Sequence, residues 1–303
     1  MPHSETPPPA PVRQRVAATI GRRRRRQVGV FGLLRIATAI NGLALMIVIY
    51  FLFKNGWQAI TWTFLTQPPT DVMTRGGILP CIVGTLCLAG GAILTAMPIG
   101  VVSAVFLNEY ASPGPLLRII RLGISNLAGV PSVVFGLFGL AVFVIYLKMG
   151  VSILAGALTL AAMSLPVIIG ATEEALRAVP DSYREAAFAL GCTRWQTTWR
   201  VVLPTALPGI LTGGILGLSR AAGETAPIMF TGAVFFTPGL PQSIMDEVMA
   251  LPYHIYVLAT AGTEIEKTRP LQYGTAIVLV MMVLGMNLVA ILWRTHLRRR
   301  RQG

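Results

Sequence analysis

The hydrophobic and polar positions of this chain fall into long uncharged apolar runs separated by short basic stretches. The runs extend roughly over Ile36 to Phe53, Ile78 to Leu107, Leu122 to Leu147, Gly150 to Ala171, Val201 to Ser219 and beyond, and Leu271 to Trp293. A helix crosses a hydrocarbon core with about 20 predominantly apolar residues, and these runs supply that length. Helices are the economical form for them, because backbone groups in lipid must find their hydrogen-bond partners within the segment. The pattern predicts an all-α integral membrane protein with six transmembrane helices. A further uncharged piece, Val248 to Thr263, is short and carries Pro252 and His254, so it reads as an interfacial or re-entrant segment.

Composition agrees with a lipid solvent: 54% of residues are hydrophobic and 12% charged, about half the charged share of an ordinary soluble domain. The net charge of +13 suggests nucleic-acid binding until its placement is examined. Arg22 to Arg26 and Arg298 to Arg301 flank apolar spans, as expected where positive charge sets membrane orientation, and no soluble fold is left to present a basic face to nucleic acid. With an N-terminus inside, Arg13, Arg15, Arg22 to Arg26, Arg35, Arg118, Arg121, Arg177, Arg184, Arg194, Arg200, Arg294 and Arg298 to Arg301 all fall on the cytoplasmic side. The other side receives Lys54, Arg75, Lys148, Lys267 and Arg269. Both termini are expected in the cytoplasm.

Residues 1–30 form a basic tail in which Pro7, Pro8, Pro9 and Pro11 favour extended backbone and little can be buried. The tail is expected to be disordered and cytoplasmic, with residues 31–303 as the membrane domain. The polar stretch before the first apolar run is too long for a cleavable signal, so that run is expected to remain as an anchor. Cys81, Cys87 and Cys192 have no metal-ligand spacing and read as small apolar fillers.

The most informative stretch is the charged loop from Glu173 to Pro204. In it Glu185, Ala186 and Ala187 are followed after three residues by Gly191, and after nine more by Val201, Leu203 and Pro204. A short helix of small residues, a glycine able to adopt positive φ and end it, and a second helix entering the membrane would present a rigid knob to a partner. Here the chain resembles the permease subunits of ABC importers, whose motif is Glu-Ala-Ala, three residues, Gly, nine residues, Ile-x-Leu-Pro, with Val201 in place of isoleucine. The resemblance implies that Glu185, Ala186, Ala187 and Gly191 belong to a coupling helix docking on a cytoplasmic ATPase. The chain holds no Gly-Lys dipeptide, so the usual phosphate-cradling loop of an ATPase cannot be built from it. ATP and Mg are expected on a partner chain, and no cofactor on this one.

In the fifth run, Arg220 and Glu224 stand within otherwise uncharged sequence. Each ionised group costs about 2.5 to 3.5 kcal/mol at a helix centre on insertion scales, so the pair needs a partner or a polar cavity. Four apart on one helix, they share a face. Two readings stay open. Arg220 offers a planar fork of donors matched to phosphate oxygens, or the two charges simply lock to each other or to a neighbouring subunit. Arg before Glu is the poorer order for an isolated helix pair, which favours a partner from outside the helix. Gly223 and Pro227 should loosen the helix there. In the third run, Pro131 breaks the pattern and Ser132 offers a hydroxyl to substrate, with a Pro kink satisfied by neighbours as the plainer alternative. Gly209, Gly213 and Gly217 recur every fourth residue and permit close helix contact, with the interface to a second permease as one candidate place. His3, His254 and His296 form no cluster.

Arg220, Gly223, Glu224 and Thr225 are similar to the Arg-x-x-Gly-Glu-Thr segment of bacterial high-affinity phosphate importer permeases. FLNEYASPG around Glu109, LAGVPSVVFGLFG from Leu127, and LPVIIGATEEALRAVPDSYREAAFALG from Leu165 resemble the same family, in particular its PstA-type subunits, from about Gly77 to the end. The resemblance implies a type I ABC importer permease fold (MetI-like) and transport of inorganic phosphate, with Arg220, Glu224, Thr225 and Ser132 on the substrate pathway. Its implied partners are a second homologous permease, a cytoplasmic ATPase dimer, an extracytoplasmic phosphate-binding protein and the bilayer of a bacterial cell membrane. Another oxyanion, such as sulfate, molybdate or a phosphonate, is the alternative substrate. A secondary transporter would call for relay charges or an internal repeat, and a membrane enzyme for a nucleophile, base or metal-ligand set; the sequence offers neither.

Overall fold

The computed structural model describes residues 12–70, 75–237, 239–261 and 265–299. Residues 1–54 and 55–303 form two units. The described part of the first is helix α1, Val12–Gly56, which ends just inside the second. Residues 12–30 of the expected tail are helical, and residues 1–11 lie outside the described residues. The reason is local: beyond Pro11 the chain has no further proline before the membrane run and is dominated by Ala, Arg and Gln, which are good helix formers.

The second unit opens with a 3-10 turn at Trp57–Ala59, helix α2 (Trp62–Thr66) and a two-stranded antiparallel ribbon of β1 (Pro69–Thr70) and β2 (Arg75–Gly76). Then come α3 (Leu79–Val105), α4 (Pro115–Ala128), α5 (Ser132–Gly139) and α6 (Ile153–Arg177). They are followed by α7 (Asp181–Ala189), α8 (Arg194–Thr197), α9 (Leu203–Gly223), α10 (Ile228–Thr231), α11 (Leu251–Thr260) and α12 (Ile265–Arg299). Short π-helical turns follow α3, extend α5 and lead into α9. Among the described residues five helices are long and apolar enough to cross a membrane, or six if the pair α4 and α5 is counted as one span. The third run is not a straight span: its two helices meet at 101°. Pro131, extended at φ −57° and ψ 139°, lacks the N–H that would continue α4, and a residue preceding proline is driven out of helical geometry.

Helix α6 is the centre of the unit. Its apolar window is 61% buried, against 11% for α12. Small residues allow that centrality, since Gly91 approaches Ala157, Gly100 approaches Ile168 and Gly156 approaches Leu88. The glycine stripe of α9 does the same within the chain rather than toward another subunit: Gly209 faces Ala175, Gly213 faces Ala171 and Gly217 faces Ile168. Leu88, Phe135, Leu160, Met163, Ala221 and Ile228 close one core between α3, α5, α6, α9 and α10. The first amides of α6 are satisfied from afar, with Ile153 N–H donating to the Asp246 carbonyl (2.9 Å) and Leu154 N–H to that of Ile244 (2.9 Å). Helix α11 has ten residues, about 15 Å at 1.5 Å per residue, so it does not cross. Its Leu251 amide donates to Thr85 Oγ1 at 2.8 Å, tying it to α3.

Candidate functional site

Two groups of charged residues occupy opposite ends of α9. At its first end the turn between α7 and α8 is built as the sequence demands. Gly191 has φ +80°; its N–H donates to the Phe188 carbonyl at 2.9 Å and that of Cys192 to Ala187 at 3.0 Å. These are the two bonds of a Schellman ending, which needs a left-handed residue. Thr193 then caps α8 reciprocally with Gln196. Ala187 is buried, whereas Glu185 and Ala186 face outward. Leu190, at the corner, is 85% exposed, so the turn presents an apolar tip.

Arg184 anchors this knob. Its Nη2 donates to Glu109 Oε1 at 2.8 Å and to the Leu176 carbonyl at 3.0 Å; its Nη1 reaches the Val179 carbonyl (2.9 Å) and Asp181 (3.1 Å), and its Nε reaches Glu109 Oε2. One guanidinium thus joins α7, the last carbonyls of α6 and the turn after α3. The side chains of Arg184 and Glu109 are 16% and 12% exposed. The hydrogen bond that Arg184 donates to Glu109, and then the charges of Glu109 and Asp181, push the Arg184 pKa further above its ordinary value against the opposing effect of burial. Beside it, Glu173 is shared between Arg121 Nε at 3.2 Å and Arg177 Nη2 at 3.1 Å. Sequence reasoning treated these arginines as topology markers and did not see their carboxylate partners. The signal was present in two acids, Glu109 and Glu173, placed where apolar runs end.

At the other end of α9, Arg220 Nε lies 3.5 Å from Glu224 Oε1. One expectation changes. The helix stops at Gly223, and Glu224 is extended at φ −80° and ψ 134°, so the two residues are not on one helical face. Among the described residues the ion pair of Arg220 is with Glu224. Their side chains remain 35% and 21% exposed, and a Cβ added at Gly223 would meet nothing within 4 Å. Thr225 lies in the break, its carbonyl accepting from Met229 N–H at 3.2 Å before Pro227 starts α10. Ser132 opens α5 beyond the 101° bend and is half-buried; it is not hydrogen-bonded to Arg220 or Glu224. The bend and the break nevertheless share a core, through Val130, Phe135, Ala221 and Ile228, and Gly136 lets α5 approach Ala226 and Pro227.

A multi-pass bundle with a broken helix at one end and an anchored apolar knob at the other is the architecture of a membrane transport subunit. Solved structures with this fold include a bacterial alginate ABC transporter (TM-score 0.60, 17% identity, covering 91% of this chain and 96% of that one). Another is the MetNI methionine ABC transporter in inward-facing conformations (TM-score 0.56, 18% identity, 73% and 94%). Residues 96–303 match the binding-protein-dependent transport system inner membrane component, and the chain belongs to that family. Its relatives include the probable ABC transporter permease protein YqgI of Bacillus subtilis, 34% identical with 86% of this chain and 92% of that protein covered. The phosphate transport system permease protein PstA 1 of Mycobacterium tuberculosis is 36% identical, with 86% and 84% covered.

Proposed function

We propose that this chain is the PstA-type permease subunit of an ATP-driven importer of inorganic phosphate. The observation that carries the substrate is the 36% identity, over 86% of the chain, to a phosphate transport permease; the Arg220 guanidinium at the helix break supplies chemistry suited to that oxyanion. The chain makes and breaks no bond. It pairs with a second, homologous permease, and an extracytoplasmic phosphate-binding protein delivers the anion. ATP and Mg bind to a separate cytoplasmic ATPase dimer, which grips the knob around Glu185, Ala186, Ala187 and Leu190. Both termini lie in the cytoplasm of a bacterial cell. Closure of the ATPases pushes α7, and Arg184 passes the displacement to α6 and to the end of α3. On the far side Arg220, Glu224, Thr225 and Ser132 line the pathway.

Reconstitution into proteoliposomes with co-purified partners tests this. Radiolabelled phosphate uptake should require ATP, the binding protein and the second permease. Uptake by this chain alone, or preferential uptake of sulfate, would overturn the reading. Reporter fusions should place Arg26 and Arg298 inside and Glu264 outside.

A further inference from the structure

Between α4 and α6 lies a cleft of about 410 Å³ lined by Arg121, Ser125, Pro166, Gly170, Glu173 and Arg177, among others, a size typical of small-ligand sites. Its charge is unbalanced. Two guanidiniums share one carboxylate, each on its own oxygen, leaving a surplus of one positive charge. Arg177 spends only Nη2 on Glu173, and Arg121 spends Nε on Glu173 and Nη2 on the Leu107 carbonyl. Forked donors therefore remain in both guanidiniums, and a guanidinium uses such donors best on a planar pair of oxyanion oxygens. Ser125 adds a hydroxyl at the wall, and Gly170 leaves the α6 backbone open, since a Cβ there would meet nothing within 4 Å.

The cleft is set off from the pair at the helix break in both level and face: Pro166, Gly170, Glu173 and Arg177 lie on the side of α6 opposite Ile168, Ala171 and Ala175, which meet α9. Contacts of Gly209 with Ala175, Gly213 with Ala171 and Gly217 with Ile168 set α9 antiparallel to α6, which places Arg220 near the level of Leu165. From Leu165 to Glu173 is about 12 Å along α6 at 1.5 Å per residue.

We infer that Arg121, Arg177 and Ser125 form a second oxyanion site, separate from Arg220, on the face of α6 turned away from α9 and toward its α7 end. Glu173 holds the two arginines apart and weakens the site enough for the anion to leave. The inference rests on the transport reading above and names the second binding position in it.

Equilibrium binding of radiolabelled phosphate to the nucleotide-free complex, in discs of zwitterionic lipid, tests the site. Arg177→Gln should weaken binding roughly tenfold, and Glu173→Gln should tighten it by a similar factor as the local charge rises from +1 to +2. A purely structural role for the cluster predicts no tightening. Unchanged affinity in Arg177→Gln overturns the inference, as does Arg177-dependent displacement of phosphate by phosphatidylglycerol discs, which would assign the cleft to a lipid headgroup. If Glu173→Gln does not assemble, the exposed Arg177 variant still decides. Arg177-dependent binding of sulfate in place of phosphate would keep the site and sink the phosphate reading.

Discussion

The two charged ends of α9 are held in opposite ways. Arg184 is nearly enclosed and has hydrogen-bond partners on three elements, the shortest at 2.8 Å. Arg220 has a single ion pair at 3.5 Å, is 35% exposed and sits beside open space at Gly223. An enclosed, fully satisfied ion pair is costly to break by removing one partner, because the other is left buried and uncompensated. A half-exposed pair costs little to open, since water screens both charges. The first arrangement suits a part that must transmit motion without yielding, the second a part that must exchange one partner for another.

The largest expected effect breaks the second region. If Arg220 only balances Glu224, Arg220→Gln combined with Glu224→Gln removes both charges together and transport should survive. If Arg220 contacts the anion, the double variant assembles but its uptake falls roughly a hundredfold, the equivalent of one charge-assisted contact of about 2.7 kcal/mol. Uptake at matched membrane levels, with assembly checked by co-purification, separates the two. Wild-type uptake in the double variant would leave Arg220 a lock. Arg220→Lys, which keeps the charge and loses the fork, should fall between.

The next effect breaks the first region. Arg184→Ala strands the Glu109 charge and removes the guanidinium donor from the Val179 carbonyl, so thermal unfolding should report a loss of about 3 kcal/mol. In a variant that still assembles, ATP hydrolysis should continue while uptake drops. Glu109→Gln, which retains a hydrogen-bond acceptor, should lose less. Equal coupling ratios in Arg184→Ala and wild type would remove Arg184 from the transmission path.

The difference between these ends also marks what the sequence could reveal. The spans were legible because lipid imposes a length and a polarity that few residues violate. So was the turn between α7 and α8, since a glycine just past a short helix can end it at positive φ, as Gly191 does at φ +80°. Direction was not legible. The run from Leu122 to Leu147 has the composition of one span, and only coordinates show α4 and α5 meeting at 101°. Helix ends were equally hidden: four-residue spacing put Arg220 and Glu224 on one face, yet α9 stops between them. Arginines counted for orientation concealed their carboxylates, because Glu109 and Arg184, 75 residues apart in sequence, meet only where α7 reaches the turn after α3. The glycine stripe predicted a close contact but not its partner, which proved to be α6 of the same chain.

Gly191 sharpens the comparison at smaller cost. An added Cβ meets nothing within 4 Å, so the only penalty is the left-handed backbone, about 1 to 2 kcal/mol for an ordinary residue and more for a β-branched one. Gly191→Val should lower uptake roughly tenfold or more with membrane insertion unchanged, whereas Gly191→Asn, which tolerates positive φ, should retain most of it. Equal uptake by the two variants would show that turn geometry is not what the knob requires.

The smallest expected effect compares two glycines of α9. Gly213 faces α6 so closely that a new Cβ would lie 2.8 Å from the Ala171 Cβ, whereas at Gly223 it would meet nothing. Neither has a positive φ, so backbone strain does not separate them and packing does. Gly213→Ala forces α9 and α6 apart, an overpacking cost of about 1 to 3 kcal/mol, partly offset by the roughly 0.5 to 1 kcal/mol by which alanine exceeds glycine in a helix. Gly223→Ala carries the propensity gain alone and should stabilise the fold slightly. Its functional consequence runs the other way: if the break after Gly223 must flex while Glu224 exchanges Arg220 for the anion, a more persistent last turn should slow uptake without weakening the fold. Melting temperature and uptake, measured on both variants, should therefore move together for Gly213→Ala and apart for Gly223→Ala. A Gly223→Ala protein that is more stable and transports at the wild-type rate would mean that the end of α9 serves as a rigid mount for Arg220.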